Sequence, residues 1–129
     1  MSKEILKSMF ENIYDPQIDP KEYIQKVVSK TYIQIVDGHQ IGYDCFIDHI
    51  IKQREIMKDI SFDFIYLIEE GINVASLHRV YATKINSNEK IVAEVHAFFQ
   101  FKDGLLESCN ERTRIVKGSR EDEDLGRRK

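Results

Sequence analysis

The sequence has few of the residues that form cross-links or kinks, and it has no long apolar run. Its 129 residues include two cysteines, two prolines and no tryptophan. Cys45 and Cys109 stand far apart and outside any C-x-x-C spacing, so we expect a reducing compartment and no disulfide framework. No segment approaches the roughly 20 apolar residues of a membrane span, and no signal-peptide pattern precedes the first helix. We therefore expect a soluble, cytoplasmic protein without a membrane partner.

The charge balance argues against a second group of functions. Nineteen basic and 22 acidic residues give a net charge of −3, whereas a general nucleic-acid binder needs a basic face. The glycines are isolated turn residues and form no phosphate-binding loop. Glu94, His96 and His78 could converge on a metal, but the sequence lacks the His and Cys spacings of metal sites. We expect no nucleic-acid partner, no cofactor and no metal site.

Three segments in the first half of the chain have apolar residues at helical spacing. They are residues 3–13, 19–29 and 42–58. The second has the clearest beginning, because Asp19 is a favourable N-cap and Pro20 suits the first helical position. The third carries Tyr43 and Phe46 on a strongly apolar face. A β-rich run at residues 31–36 separates the second and third helices and ends at Asp37-Gly38.

The apolar pattern changes to a period of two after residue 60. Four long strands are predicted, at residues 61–69, 73–84, 90–101 and 105–116. Because their connections are short and rich in turn residues, the strands should form an antiparallel meander. We assign residues 1–117 to one domain. Residues 118–129 form a charged tail with a single large apolar residue, and we predict that this tail is disordered.

The third of these strands suggests a homodimer. One of its faces is apolar, and we interpret it as the outer face of the sheet. The residues on this face are Ala93, Val95, Ala97, Phe99 and Phe101. An apolar outer face is usually covered by another subunit, so we expect a homodimer that pairs through the sheet.

The element order and the turns resemble the nuclear transport factor 2-like superfamily, and within it the SnoaL-like and ketosteroid-isomerase-like group. The matching positions include Asp37-Gly38, Gly42, the G-I-N-V-A run at 71–75 and the F-Q-F-K-D-G-L-L-E run at 99–107. The resemblance implies an α+β cone with element order α-α-β-α-β-β-β-β. In it a curved antiparallel sheet wraps around three N-terminal helices.

The resemblance also implies a pocket for an apolar small molecule between helices and sheet. Two classes of function stay open, because one scaffold of this kind serves many activities. The first is a cofactor-independent isomerase, cyclase or hydrolase that works by acid–base catalysis. The second is a non-catalytic ligand-binding or dimerisation module.

Glu94 and His96 are the first candidate catalytic pair. They share one strand face with Phe98. Aligned on the 101–104 end of the strand, Glu94 falls where ketosteroid isomerases carry an acid of the oxyanion hole. Glu94 and His96 would then act as acid and base in the pocket. The alternative is that this face meets solvent and that both are ordinary outward polar residues.

Two further carboxylates are candidates. Glu111 lies on the last strand with Cys109, on the face that the same alignment places inward, but it could equally form an ion pair with arginines at the sheet edge. Asp37 lies near the general-base position of ketosteroid isomerases, but Asp37-Gly38 is also a favourable turn pair.

The remaining candidates are predicted to contact the ligand. Tyr14 is close to the helix-1 tyrosine of the isomerases, though displaced from it. Arg79 could pair with Glu94 either inside the pocket or on a wet face. His49 lies off the apolar stripe of its helix and is expected at the surface. The predicted ligand contacts are Tyr14, Tyr43, Arg79, Phe98 and Cys109.

Overall fold

A computed structural model describes residues 2–117, and the predicted tail at 118–129 lies outside the described residues. The described part of the chain forms three helices and six strands. The helices are α1 (Ser2–Ile13), α2 (Pro20–Val27) and α3 (Tyr43–Ile56). The strands are β1 (Val28–Val36), β2 (His39–Gly42), β3 (Met57–Glu70), β4 (Asn73–Lys84), β5 (Lys90–Lys102) and β6 (Leu105–Lys117). The predicted α+β class and the order of its helices and strands are confirmed.

The helices begin and pack where the sequence predicts. The side chain of Asp19 caps α2 by accepting a hydrogen bond from the backbone N–H of Lys21 at 3.1 Å. Leu6, Met9 and Ile13 form the buried stripe of α1. Within residues 2–117, no helix is long and apolar enough to cross a bilayer.

The strands form one sheet in the order β2-β1-β6-β5-β4-β3. Strands β3 to β6 pair as the predicted antiparallel meander, whereas β1 and β6 are parallel. The short strand β2 was not predicted. Asp37 and Gly38 both have positive φ, 50° and 88°, as a type I′ hairpin turn requires, and they fold β2 back onto β1. Four residues are too few to display a period of two.

The buried face of β5 is the opposite of the one predicted. Ala93, Val95, Ala97, Phe99 and Phe101 are only 3–6% exposed and lie on the inner face of the sheet, toward the helices. The prediction that they form the outer face is therefore wrong. The period of two shows that one face is apolar but does not say what covers it. Here the helices cover it, since burying the face with Glu94 would carry a large desolvation cost.

Candidate ligand cavity

A cavity of about 120 Å³ lies between α1, α3 and the inner face of the sheet. Its wall is mostly aliphatic and aromatic, with contributions from Phe10, Phe62, Val95 and Phe99. Polar side chains interrupt this wall at a few places. They are Tyr14, Tyr32, Gln34, His49, Gln53, His78, Cys109, Glu111 and Thr113. An apolar cavity with a few polar groups is the usual form of a small-molecule site.

Glu111 is held in the cavity wall by a short chain of hydrogen bonds. The hydroxyl of Tyr32 donates to Oε1 of Gln34 at 2.6 Å. The amide Nε2 of Gln34 then donates to Oε1 of Glu111 at 3.1 Å. The first bond fixes the orientation of the Gln34 amide, so its N–H₂ faces the carboxyl group. This contact uses Oε1 of the carboxyl group.

The backbone at this end of the cavity places Asp37 behind Glu111. The N–H of Asp37 donates to the backbone carbonyl of Glu111 at 3.0 Å, and Oδ1 of Asp37 accepts from the N–H of Thr113 at 2.9 Å. Burial, and secondly the negative charge of Asp37, raises the pKa of Glu111 to about 7. A carboxyl group with a pKa near neutrality can both take up and release a proton at physiological pH.

Thr113 adds a hydroxyl group beside this carboxyl group. It is two residues from Glu111 on β6, and both side chains line the cavity. The Oγ1 atom of Thr113 is buried and has no hydrogen-bond partner among residues 2–117, and the same holds for Oδ2 of Asp37. A buried hydroxyl without a partner can serve a polar atom of a bound molecule.

His78 is the buried histidine of the β4 wall. Its Nδ1 lies 2.9 Å from Oγ of Ser76, and its ring packs 5.2 Å from the rings of both Phe10 and Phe64. Burial, with a smaller contribution from the charge of His96, lowers the pKa of His78 to about 4. His78 is therefore neutral at physiological pH and offers the cavity a polar but uncharged group.

Tyr14 lies where α1 meets the cavity. Its hydroxyl donates to Oε1 of Gln53 at 2.6 Å, and its ring centroid is 5.4 Å from that of Phe62. Burial raises the pKa of the Tyr14 hydroxyl, so it stays protonated. Burial also raises the pKa of the Cys109 thiol, which is therefore not a thiolate.

The first candidate pair lies outside the cavity. Glu94, His96 and Phe98 are on the outer face of β5, opposite the buried residues, so the prediction that they line the pocket is wrong. Glu94 instead pairs with Arg79 at 3.4 Å and with Arg114 at 3.5 Å on this partly exposed face. The physical reason is the same inverted face: the helices cover the apolar side of β5 and leave the polar side outward.

Three smaller predictions also need correction. Arg79 points outward and pairs with Glu94, so it does not line the cavity. Its neighbour His78 points inward, so it cannot converge with Glu94 and His96 on a metal. No group of three metal-ligating residues occurs within residues 2–117. Tyr43 packs against the core but is not in the cavity wall. His49, expected at the surface, is only 4% exposed and lines the cavity.

The structure thus brings together Tyr14, Cys109 and Glu111 of the predicted site, with Asp37 behind Glu111. Residues missed by the sequence analysis are Tyr32, Gln34 and Gln53 as wall residues. Tyr32 and Gln34 share the inner face of β1 with Val36, but the sequence carries no signal for this, since the apolar residues Ile33 and Ile35 occupy the opposite face. Gln53 had none, since a glutamine on a helix is normally at the surface.

Comparison with known proteins gives a distant relative across nearly the whole chain. No protein-family model matches this sequence. An uncharacterised protein from Schizosaccharomyces pombe is 27% identical over 125 residues, covering 97% of this chain and 95% of the yeast protein.

Solved structures show the same fold at low sequence identity. AclR from Streptomyces galilaeus, a candidate hydroxylase, aligns with a TM-score of 0.74 and 13% identity over 99% of this chain and 87% of its own. A candidate isomerase from Rhodopseudomonas palustris aligns with a TM-score of 0.71 and 13% identity over 92% of each chain. An NTF2-like protein from Cytophaga hutchinsonii aligns with a TM-score of 0.61 and 6% identity over 87% of this chain and 96% of its own.

Proposed function

We propose that this chain, which has the nuclear transport factor 2-like fold, binds an apolar small molecule in the cavity and transfers a proton on it through Glu111. The observation that carries this proposal is the placement of the Glu111 carboxyl group in a mostly apolar wall, where burial raises its pKa to about 7. Solved structures of this fold include a candidate hydroxylase and a candidate isomerase, which supports a small-molecule role for the cavity.

The ionised form of Glu111 would take a proton from a carbon next to a carbonyl group. Gln34 fixes one carboxyl oxygen, and the other oxygen meets the substrate. Negative charge then develops on the carbonyl oxygen and needs a hydrogen-bond donor. The free hydroxyl of Thr113 is such a donor on the same wall, so proton transfer and charge stabilisation can occur side by side. With an unsaturated ketone the charge extends over the carbon–carbon double bond, and return of the proton at its far carbon completes an isomerisation.

Proton exchange provides a direct test that does not require the natural substrate. The wild-type protein is incubated in D₂O with small cyclic ketones, and loss of the α-protons is followed by ¹H NMR. We expect exchange faster than in protein-free buffer at the same pH, and faster at pH 8 than at pH 6 because the carboxylate is the base. Ketones that bind without exchange above the buffer rate would contradict the catalytic proposal and favour the binding module.

We further propose that two copies pair through the outer face of the sheet. Large apolar side chains are exposed there: Phe98 is 48% exposed, Tyr66 62% and Ile68 63%. Cross-strand pairing connects Phe98 to Ala75 and Ala75 to Ile68, so these residues form one row across three strands. A contiguous apolar row on a sheet is typical of a subunit interface. This row replaces the residues first predicted for the interface.

The association state tests the row directly. We expect sedimentation at micromolar concentration to give about twice the chain mass of 15.2 kDa for the wild type. Phe98→Glu should shift the protein to the single-chain mass, because a charge would be buried without a partner. Ile85→Glu is a matched control, since Ile85 is also exposed, at 43%, but lies in the β4–β5 loop away from the row. A wild type with only the 15.2 kDa species would exclude the dimer.

A further inference from the structure

Three aromatic side chains close the cavity on the side of α1 and β3. Phe10 and Phe62 have ring centroids 4.9 Å apart, and Tyr14 lies 5.4 Å from Phe62. The same three residues line an open groove on the outside, together with Lys7 and Asp63 among others. The three rings therefore separate the groove from the cavity, and a ligand that comes from the groove has to pass between them.

The volume behind these rings limits the ligand to about one ring. The cavity holds about 120 Å³. An engineered protein cavity of about 150 Å³ takes up benzene, whereas sites for drug-sized molecules measure roughly 300–1,000 Å³. A fused multi-ring skeleton therefore does not fit behind the closed aromatic side chains, and a single five- or six-membered ring takes up most of the space.

The polar groups in the wall limit the charge of the ligand. Among the described residues that line the cavity there is no lysine or arginine, whereas Glu111 is an acid, so an anionic ligand is disfavoured. Glu111 accepts from Gln34 through Oε1, and the hydroxyl of Thr113 has no partner among residues 2–117. These groups suit an uncharged oxygen that accepts from the hydroxyl of Thr113 or donates to Glu111.

We infer that the cavity takes a neutral molecule with a single ring and one hydrogen-bonding oxygen, seated at Glu111 and Thr113, and that it excludes fused-ring ligands. This inference rests on the proposed use of the same cavity as the ligand site, but it does not depend on catalysis. It identifies the substrate class as monocyclic enols, phenols or ketones.

The methionines offer a simple way to locate a bound probe. The chain has three, and Met9 lies in the cavity wall while Met57 belongs to a separate core cluster. With ¹³C-methyl-methionine labelling, titration with phenol should shift the Met9 signal and leave Met57 unchanged. At equal concentration, 2-naphthol should bind at least tenfold more weakly than phenol, and so should benzoate at pH 7.

The variant Phe62→Ala separates size from polarity. Removing this ring opens the cavity toward the groove, so 2-naphthol should gain at least tenfold in affinity relative to phenol, while benzoate should stay weak. The inference is overturned if 2-naphthol or benzoate shifts Met9 of the wild type at phenol-like concentrations, or if phenol leaves Met9 unmoved. Phenol binding without any ketone exchange would keep the ligand class and reject the catalytic proposal alone.

Discussion

Glu111→Gln is expected to lower the rate of ketone proton exchange by about 100- to 10,000-fold, the range that a positioned general base contributes. Glutamine has nearly the same shape as glutamate, and its amide oxygen can still accept from Nε2 of Gln34. It has no carboxylate that could take a proton at neutral pH. The variant should therefore keep the cavity and its ligand while losing the reaction, which ¹H NMR in D₂O measures directly.

Glu94→Gln is the matched control for this experiment. It makes the same chemical change on the outer face of β5, where Glu94 pairs with Arg79 and Arg114. We expect the control to exchange ketone protons at the wild-type rate. Equal losses in the two variants, or a Glu111→Gln rate within threefold of wild type, would contradict the role of Glu111. Phenol binding, read from Met9, should persist in both variants.

The residual exchange rate of Thr113→Val separates the role of the base, Glu111, from that of the hydrogen-bond donor, Thr113. Valine keeps the shape of threonine but removes the hydroxyl that would stabilise developing negative charge. Loss of one such donor typically costs about 100- to 1,000-fold in rate. A drop of this size, with phenol binding weakened by a much smaller factor, would assign Thr113 to charge stabilisation in the transition state. An unchanged rate would place the oxygen of the substrate elsewhere in the wall.

The sequence predicted the fold well because its signals are local. Asp19 and Pro20 fix the beginning of α2, and short turns make β3 to β6 pair in order. The direction of a strand face is not local, since it depends on what packs against it. The alternation along β5 therefore gave the correct two sets of residues but assigned Glu94 and the buried Val95 to the wrong sides.

The site was predictable only where a residue stands out within its own strand. Glu111 could be selected because it is an acid on the face predicted to point inward. Its hydrogen bond to Gln34 joins residues 77 positions apart, across the parallel pairing of β1 with β6. That pairing follows from the closing of the whole sheet and leaves no mark in the spacing of either strand. The elevated pKa of Glu111 has the same origin, since it reflects burial and Asp37 from another turn.

Two buried groups of opposite character should make stability respond to pH in opposite ways. The pKa of Glu111 rises on folding from 4.5 to about 7, so between these values the folded chain holds a proton that the unfolded chain has lost. Its contribution to stability therefore falls as pH rises. The pKa of His78 falls on folding from 6.5 to about 4, so there the unfolded chain holds the extra proton. Its contribution rises with pH over that window.

Each contribution is large enough to measure. A tenfold change in a protonation equilibrium is worth about 1.4 kcal/mol, so each group changes the free energy of unfolding by roughly 3 kcal/mol across its window. The windows overlap between pH 4.5 and 6.5, where the two slopes have opposite sign and nearly cancel. Substituting one group should expose the slope of the other.

We therefore expect opposite pH profiles in the two single variants. Urea unfolding should show Glu111→Gln gaining stability relative to wild type as pH rises from 4.5 to 7. His78→Asn, which can keep the hydrogen bond to Ser76, should lose stability relative to wild type over pH 4 to 6.5. Repacking around each substitution lowers the free energy of unfolding by the same amount at every pH, so it does not change the shape of these profiles.

The double variant Glu111→Gln/His78→Asn tests whether the two pH-dependent contributions to stability cancel. With both groups removed, its profile should again parallel that of the wild type between pH 4.5 and 6.5, since equal and opposite slopes are lost together. If Glu111→Gln follows the wild-type profile at all pH values, the carboxyl group is not buried in the protonated form, and the acid–base proposal loses its physical basis. If only His78→Asn follows the wild-type profile of stability against pH, the histidine is hydrated, and the aromatic wall around it is open to water.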